Sequence, residues 1–122
     1  MVLKDFYSVE SSTEVDGKYI TQLNINKDHQ VFQGHFPGRP VTPGVILMNL
    51  FKEDTERRFN CELNFKTASN VKFLSVVDPT KDNILFLEYE IESENNIFKL
   101  KGIAKNKAGI SLKISSIYIK NA

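Results

Sequence analysis

Residues 33–44 run Gln33-Gly34-His35-Phe36-Pro37-Gly38-Arg39-Pro40-Val41-Thr42-Pro43-Gly44, and they lead into the one strongly apolar, helix-like segment of the chain. Three of the four prolines fall here. Each fixes its own φ and pushes the residue before it towards extended conformations, so the loop is stiff. Thr42 and Pro43 have the character of an N-cap and a first helical residue. The helix is expected from Pro43 to Arg58. Its first half, Val45-Ile46-Leu47-Met48-Asn49-Leu50-Phe51, is apolar nearly all round and is expected to be buried on most sides. The second half, Lys52 to Arg58, is charged and is expected to emerge into solvent. Phe59-Asn60 should close the helix, since Asn tolerates the left-handed cap position.

The remainder has the period of strands. Asp16-Gly17 is a hairpin-type turn signal. In the following segment Tyr19, Thr21, Leu23 and Ile25 alternate with mostly polar neighbours, the pattern of a half-buried strand. Beyond residue 60, Cys61, Leu63, Phe65 and Thr67 alternate, as do Val71 and Phe73. Leu85, Leu87, Tyr89 and Ile91 share one face, and Phe98, Leu100, Gly102 and Ala104 another. Ser93–Asn96 and Asn106–Gly109 are the expected turns. In the last strand Ile110, Leu112 and Ile114 give way to Ile117 and Ile119, a change of parity that a β-bulge at Ser115-Ser116 would accommodate. One apolar helix followed by about four long antiparallel strands implies an α+β architecture, a curved sheet wrapped round a central helix. Free sheet edges in such a fold invite continuation across a dimer axis.

A chain of 122 residues is expected to form a single domain, residues 1–122, with no room for a separate cofactor domain. Net charge is +1, which argues against a general nucleic-acid binder. Cys61 is alone, excluding a disulfide framework and a cysteine-based metal site and fitting a reducing compartment. Met1 to Glu10 lacks a secretory pattern, and no apolar run has the length of a membrane span. A cytoplasmic location is the expectation.

His35-Phe36-Pro37-Gly38-Arg39-Pro40-Val41-Thr42-Pro43-Gly44-Val45 closely resembles the active-site stretch of the beta-hydroxyacyl-ACP dehydratases, the FabA/FabZ-type hotdog proteins. Gln33-Gly34 before the histidine and Ile46-Leu47-Met48 after it fit as well. Val71-Lys72-Phe73-Leu74-Ser75-Val76-Val77-Asp78-Pro79 resembles that family's strand after the helix. The resemblance covers roughly residues 19–119. It implies a hotdog dimer with an active site shared between subunits. It further implies a histidine that takes a proton from C2 of a 3-hydroxyacyl thioester, and a partner-helix carboxylate that handles the leaving hydroxyl. The helix start at Gly44 and Val45 would polarise the thioester carbonyl. Neither a metal nor an organic cofactor is implied. The acyl chain arrives on the phosphopantetheine arm of an acyl carrier protein, and the product is a trans-2-enoyl thioester of fatty-acid or related polyene or polyketide-type synthesis.

The residue types suit that chemistry. Histidine titrates near pH ~6.5 and can accept a proton under cytosolic conditions. Prolines flanking His35 limit its misplacement. The N–H groups and dipole of a helix start stabilise negative charge developing on oxygen, and Gly44 leaves room for the thioester.

The acid is where the chain departs from the family. Asn49 stands where the family has its carboxylate, and an amide cannot act as a general acid. Glu53 lies four residues on, on the same helical face, where the family commonly has glutamine. Acid and amide are thus exchanged between two turns, with Glu53 expected to supply the carboxylate and Asn49 to orient the hydroxyl. Phe36 and Arg39 are further substrate-binding candidates, Arg39 towards a phosphopantetheine phosphate. Arg57, Arg58, Lys66 and Lys72 could present a basic face to an acidic carrier, and His29 is expected at the surface. Two alternatives stay open: a hotdog acyl thioesterase, and a non-catalytic acyl-binding subunit that pairs with an active dehydratase.

Overall fold

The computed structural model describes residues 5–32 and 42–121. Six antiparallel strands form one sheet in the order β1-β2-β4-β5-β6-β3, and one long helix packs against it. β1 (Tyr7–Val15) and β2 (Lys18–Ile25) form a hairpin closed by Asp16 and Gly17, both at positive φ (51° and 80°). Two consecutive left-handed residues match the twist of the flanking strands, the reason such turns favour Asp-Gly. β1 carries the polar run Glu10–Glu14 on a sheet edge, exposed along nearly its whole length. That composition hides it from a hydrophobic-period reading.

Helix α1 (Gly44–Phe59) starts one residue later than expected. Thr42 is not its N-cap. Pro43 takes that position at φ −58°, ψ 142° with no side-chain cap, while the Thr42 N–H donates to Val77 O at 2.9 Å and its buried hydroxyl finds no partner among the described residues. Asn60 closes the helix as expected, in the left-handed conformation at φ 50°, ψ 54°.

Two expectations of burial along α1 are corrected. Val45, in the apolar half, is 64 % exposed, whereas Asp54 and Thr55, in the charged half, are buried. The sheet reaches past the apolar half, so the charged turns meet strand side chains instead of water.

β3 (Leu63–Phe73) is one strand, and it forms the second sheet edge. Register shifts against β6 fall at Phe65/Thr67 and Ser69/Lys72, the latter beside Asn70 at φ 52°. Leu63 is buried, but Phe65 and Thr67 are exposed, since among the described residues no strand flanks this edge. β4 (Ile84–Glu94), β5 (Ile97–Asn106) and β6 (Gly109–Lys120) form the meander, and Leu85, Leu87, Tyr89, Leu100 and Ala104 face the helix as expected.

The expected bulge at Ser115-Ser116 is absent, since both pair in unbroken register with Lys101 and Leu100. The irregularity lies at Ser111, between the pairs Ala104↔Leu112 and Lys105↔Ile110. Ser111 O there accepts from the Leu74 N–H at 2.8 Å. From Leu112 onwards the inward face keeps one parity, through Ile114, Ser116 and Tyr118. The two serines simply occupy one inward and one outward position.

Candidate active site

The helix places Asn49, Glu53 and Arg57 at intervals of four, one above another on a single face. Asn49 Nδ2 donates to Glu53 Oε2 at 2.6 Å. The hydroxyl of Tyr7, at the start of β1, donates to Glu53 Oε1 at 2.7 Å. Arg57 Nη1 in turn donates to the Tyr7 hydroxyl oxygen at 2.5 Å. Both carboxylate oxygens of Glu53 are therefore held, one from within the helix and one from the sheet edge. Burial, then the bond to Glu53, pushes the Tyr7 phenol up to about 12, so it stays a neutral donor around neutral pH. The Arg57 guanidinium also lies 5.3 Å from the Tyr7 ring centroid.

Beside this row runs a second one. Asp54, only 3 % exposed, accepts from Thr21 Oγ1 at 2.8 Å, from the Tyr89 hydroxyl, and from Arg57 Nη2 at 3.0 Å. Arg58 lies 3.8 Å from the same carboxylate, covers the Tyr19 ring at 4.6 Å, and donates to Ser12, Thr21 and Tyr89. Burial and the facing Asp54 carboxylate push the Tyr89 phenol well above the ordinary tyrosine range. Arg57 and Arg58 are thus engaged with the helix and the β1-β2-β4 side of the sheet. They do not join Lys66 and Lys72 in a free basic face.

At the helix start, the first bonds onto Pro43 O come from Ile46 and Leu47, so the N–H groups of Gly44 and Val45 precede the first bonded turn. Those are the donors a developing oxyanion could use. The room expected for the thioester beside Gly44 is taken by the Phe73 ring, so close that a Cβ there would come within 2.7 Å of its Cζ. His35, Phe36 and Arg39 lie outside the described residues. His29 is not a plain surface residue. It is half-buried, its Nδ1 accepts from the Val31 N–H at 3.0 Å, and its ring packs edge-on against Phe6.

The sequence reading brought Asn49 and Glu53 together and missed Tyr7, Thr21, Asp54 and Tyr89. The Asp16-Gly17 turn was the available signal. Folding the chain back at that turn sets Tyr7 opposite Ile25, within the sheet that faces the helix. Among the described residues, no three of His, Cys, Asp and Glu converge as a metal site, and no helix is long and apolar enough to cross a membrane.

A curved six-stranded antiparallel sheet around one long helix defines a hotdog-fold protein. The same fold occurs in the dehydratase heterocomplex ApeI:P from Xenorhabdus doucetiae, at TM-score 0.72 and 17 % identity, covering 92 % of this chain and 96 % of that one. It also occurs in a hypothetical thioesterase of Streptococcus pneumoniae TIGR4 solved with coenzyme A, at TM-score 0.66 and 12 % identity, covering 95 % and 86 %. At those identities the likeness concerns the fold alone. The family is shown by sequence. Residues 11–112 match the model of the ApeI-like family, ApeI dehydratase, and the chain belongs to that family. It is similar to the 3-hydroxyacyl-[acyl-carrier-protein] dehydratase FabZ of Aromatoleum aromaticum, 31 % identical over 82 % of this chain and 77 % of that protein. It is also similar to FabZ of Caulobacter vibrioides strain NA1000, 33 % identical over 61 % of this chain. The match spans about half (52 %) of the Caulobacter protein.

Proposed function

We propose that the chain dehydrates a 3-hydroxyacyl thioester, delivered by an acyl carrier protein, to the trans-2-enoyl thioester. His35 takes the C2 proton as general base. The C2–C3 double bond forms as the C3–O bond breaks, and the hydroxyl leaves as water with the proton of a Glu53 carboxyl that starts the cycle protonated, directly or by way of a water molecule. The proton taken up by His35 then passes back to Glu53 through solvent and restores both groups. Asn49 orients the hydroxyl, while the N–H groups at Gly44 and Val45 polarise the thioester carbonyl. Phe36 and Arg39 bind the arriving acyl-phosphopantetheine arm. The reaction calls for no resident cofactor. We place the active assembly as a homodimer, with the loop of one subunit meeting the helix of the other.

The observation that carries this reading is the 2.6 Å bond from Asn49 to Glu53. It sets a carboxylate one turn along the helix, against the amide that stands in the family's acid position. Family membership supplies the reaction class, and the exchange of acid and amide supplies a way to keep the acid.

The test is hydration of a crotonyl thioester, followed by loss of enone absorbance, with free thiol measured in parallel. The wild-type chain should consume the enone without releasing thiol. Glu53→Gln should remain folded and lose hydration by about a hundredfold or more, within the range usual for removing a general acid. Full activity in Glu53→Gln overturns the assignment of that residue. Thiol release by the wild type marks a thioesterase, and acyl binding with neither reaction marks a non-catalytic subunit; either result overturns the dehydratase reading.

A further inference from the structure

We infer that Tyr7 and Arg57 are positioning residues for the Glu53 carboxylate, which makes the edge strand β1 part of the working site. The inference rests on the role proposed for Glu53 above.

A glutamate side chain has three rotatable bonds, and a carboxylate at a half-buried helix surface reaches many positions unless something holds it. Here the hold comes from two directions. Asn49 grips Oε2 from one turn earlier in the helix, and Tyr7 grips Oε1 from the sheet. A bond from within the helix moves with the helix and leaves torsional freedom. A bond from a separate element fixes the remaining direction.

The phenol has one proton to give, and its destination is set by what else it meets. Its oxygen accepts from Arg57 Nη1, so its own O–H is directed at Glu53. Arg57 is steadied in its turn, since its other terminal nitrogen donates to Asp54 at 3.0 Å. Asp54 is locked among buried Thr21 and Tyr89. A continuous row of directed bonds therefore runs from the core through Asp54, Arg57 and Tyr7 to the carboxylate.

The position of β1 supports the same conclusion. Phe6, next to Tyr7, is 1 % exposed and packs on His29 and on Phe32, the last described residue before the proline-rich loop. Tyr7 is thus anchored by its neighbour and its hairpin register at the point where the chain leaves for residues 33–41. Packing alone needs only a well-fitted ring at this position. A positioning role needs the hydroxyl.

The experiment uses the full chain and the crotonyl thioester assay. Tyr7→Phe keeps the ring and removes the one oxygen in question. It should lower kcat about tenfold or more while KM stays within about twofold, since misplacing a reacting group costs rate before binding. Its thermal midpoint should stay within a few degrees of wild type. Arg57→Lys keeps the charge but cannot bridge Tyr7 and Asp54 in the same way, so it should show the same pattern at smaller amplitude. Unchanged kcat in Tyr7→Phe overturns the inference, as does a loss of kcat matched by a loss of folded protein in both variants. If Glu53→Gln is fully active the parent assignment fails. If Glu53→Gln is inactive while Tyr7→Phe is not, only the positioning role fails.

Discussion

Glu53 and Asp54 are adjacent carboxylates with opposite environments, and the contrast shows what each can do. Glu53 sits half-exposed and accepts from two donors, Asn49 and Tyr7. Asp54 is enclosed by Thr21, Tyr89, Arg57 and Arg58, so its lone pairs are spent on holding the helix to β2 and β4. A buried carboxylate of this kind is costly to leave unpaired and equally costly to delete, because its partners remain in place. Asp54→Ala should lower unfolding free energy by about 3–5 kcal/mol, since Arg58 and the buried Tyr89 hydroxyl lose the carboxylate they face. Urea unfolding checks it, and a loss below about 1 kcal/mol would show that the network relaxes into solvent. Nothing in Lys52-Glu53-Asp54 announces this difference. The partners of Glu53 and Asp54 lie 46, 33 and 35 residues away, on three different strands, and a charged run has no periodicity that names its tertiary neighbours.

The elements were legible where hydrophobic period and turn chemistry agreed. Tyr19–Ile25, Leu85–Ile91 and Phe98–Ala104 alternate cleanly because each has one face on the helix. The reading failed at the edges. β1 has polar residues on both faces, and β3 changes register twice, so alternation carries no information there. Two serines interrupt the apolar pattern where the bulge is expected, but Ser116 is an inward residue that happens to be polar. The helix end was legible for a firmer reason. Asn60 closes α1 at φ 50°, a conformation that β-branched residues strongly resist. Asn60→Gly should leave stability unchanged or raise it by up to about 1 kcal/mol. Asn60→Val should cost about 1–2 kcal/mol, the penalty of left-handed backbone for a side chain of that shape. Thermal unfolding of the two variants decides it; equal midpoints would mean that the helix frays one residue earlier at no cost.

At the scale of the molecule, one sheet edge among the described residues exposes apolar side chains. β3 is an edge strand of 11 residues, and an edge of that length with apolar side chains is a template for another strand. Phe65 and Phe73 on β3 are each 51 % exposed, and Val76 beyond it and Val45 at the helix start are each 64 % exposed. The β1 edge, by contrast, is lined by Ser11, Ser12, Thr13 and Glu14, residues that water satisfies. The asymmetry favours pairing along β3. It also brings the partner to the end of the subunit where Gly44 and Phe73 meet, next to the helix start on which the proposed carbonyl contact depends. The homodimer proposed above therefore has a definite edge. Sedimentation should give a mass twice the 13.9 kDa of the chain. Phe65→Glu, which sets a charge on that edge without touching Glu53, Tyr7 or the helix start, should shift the protein towards monomer while leaving its circular dichroism unchanged. If catalysis needs both subunits, turnover per chain in Phe65→Glu should fall on dilution and recover as concentration is raised, whereas a site complete within one chain would keep constant specific activity. A wild-type chain that stays monomeric even at high concentration would send the search for the missing strand to a different polypeptide.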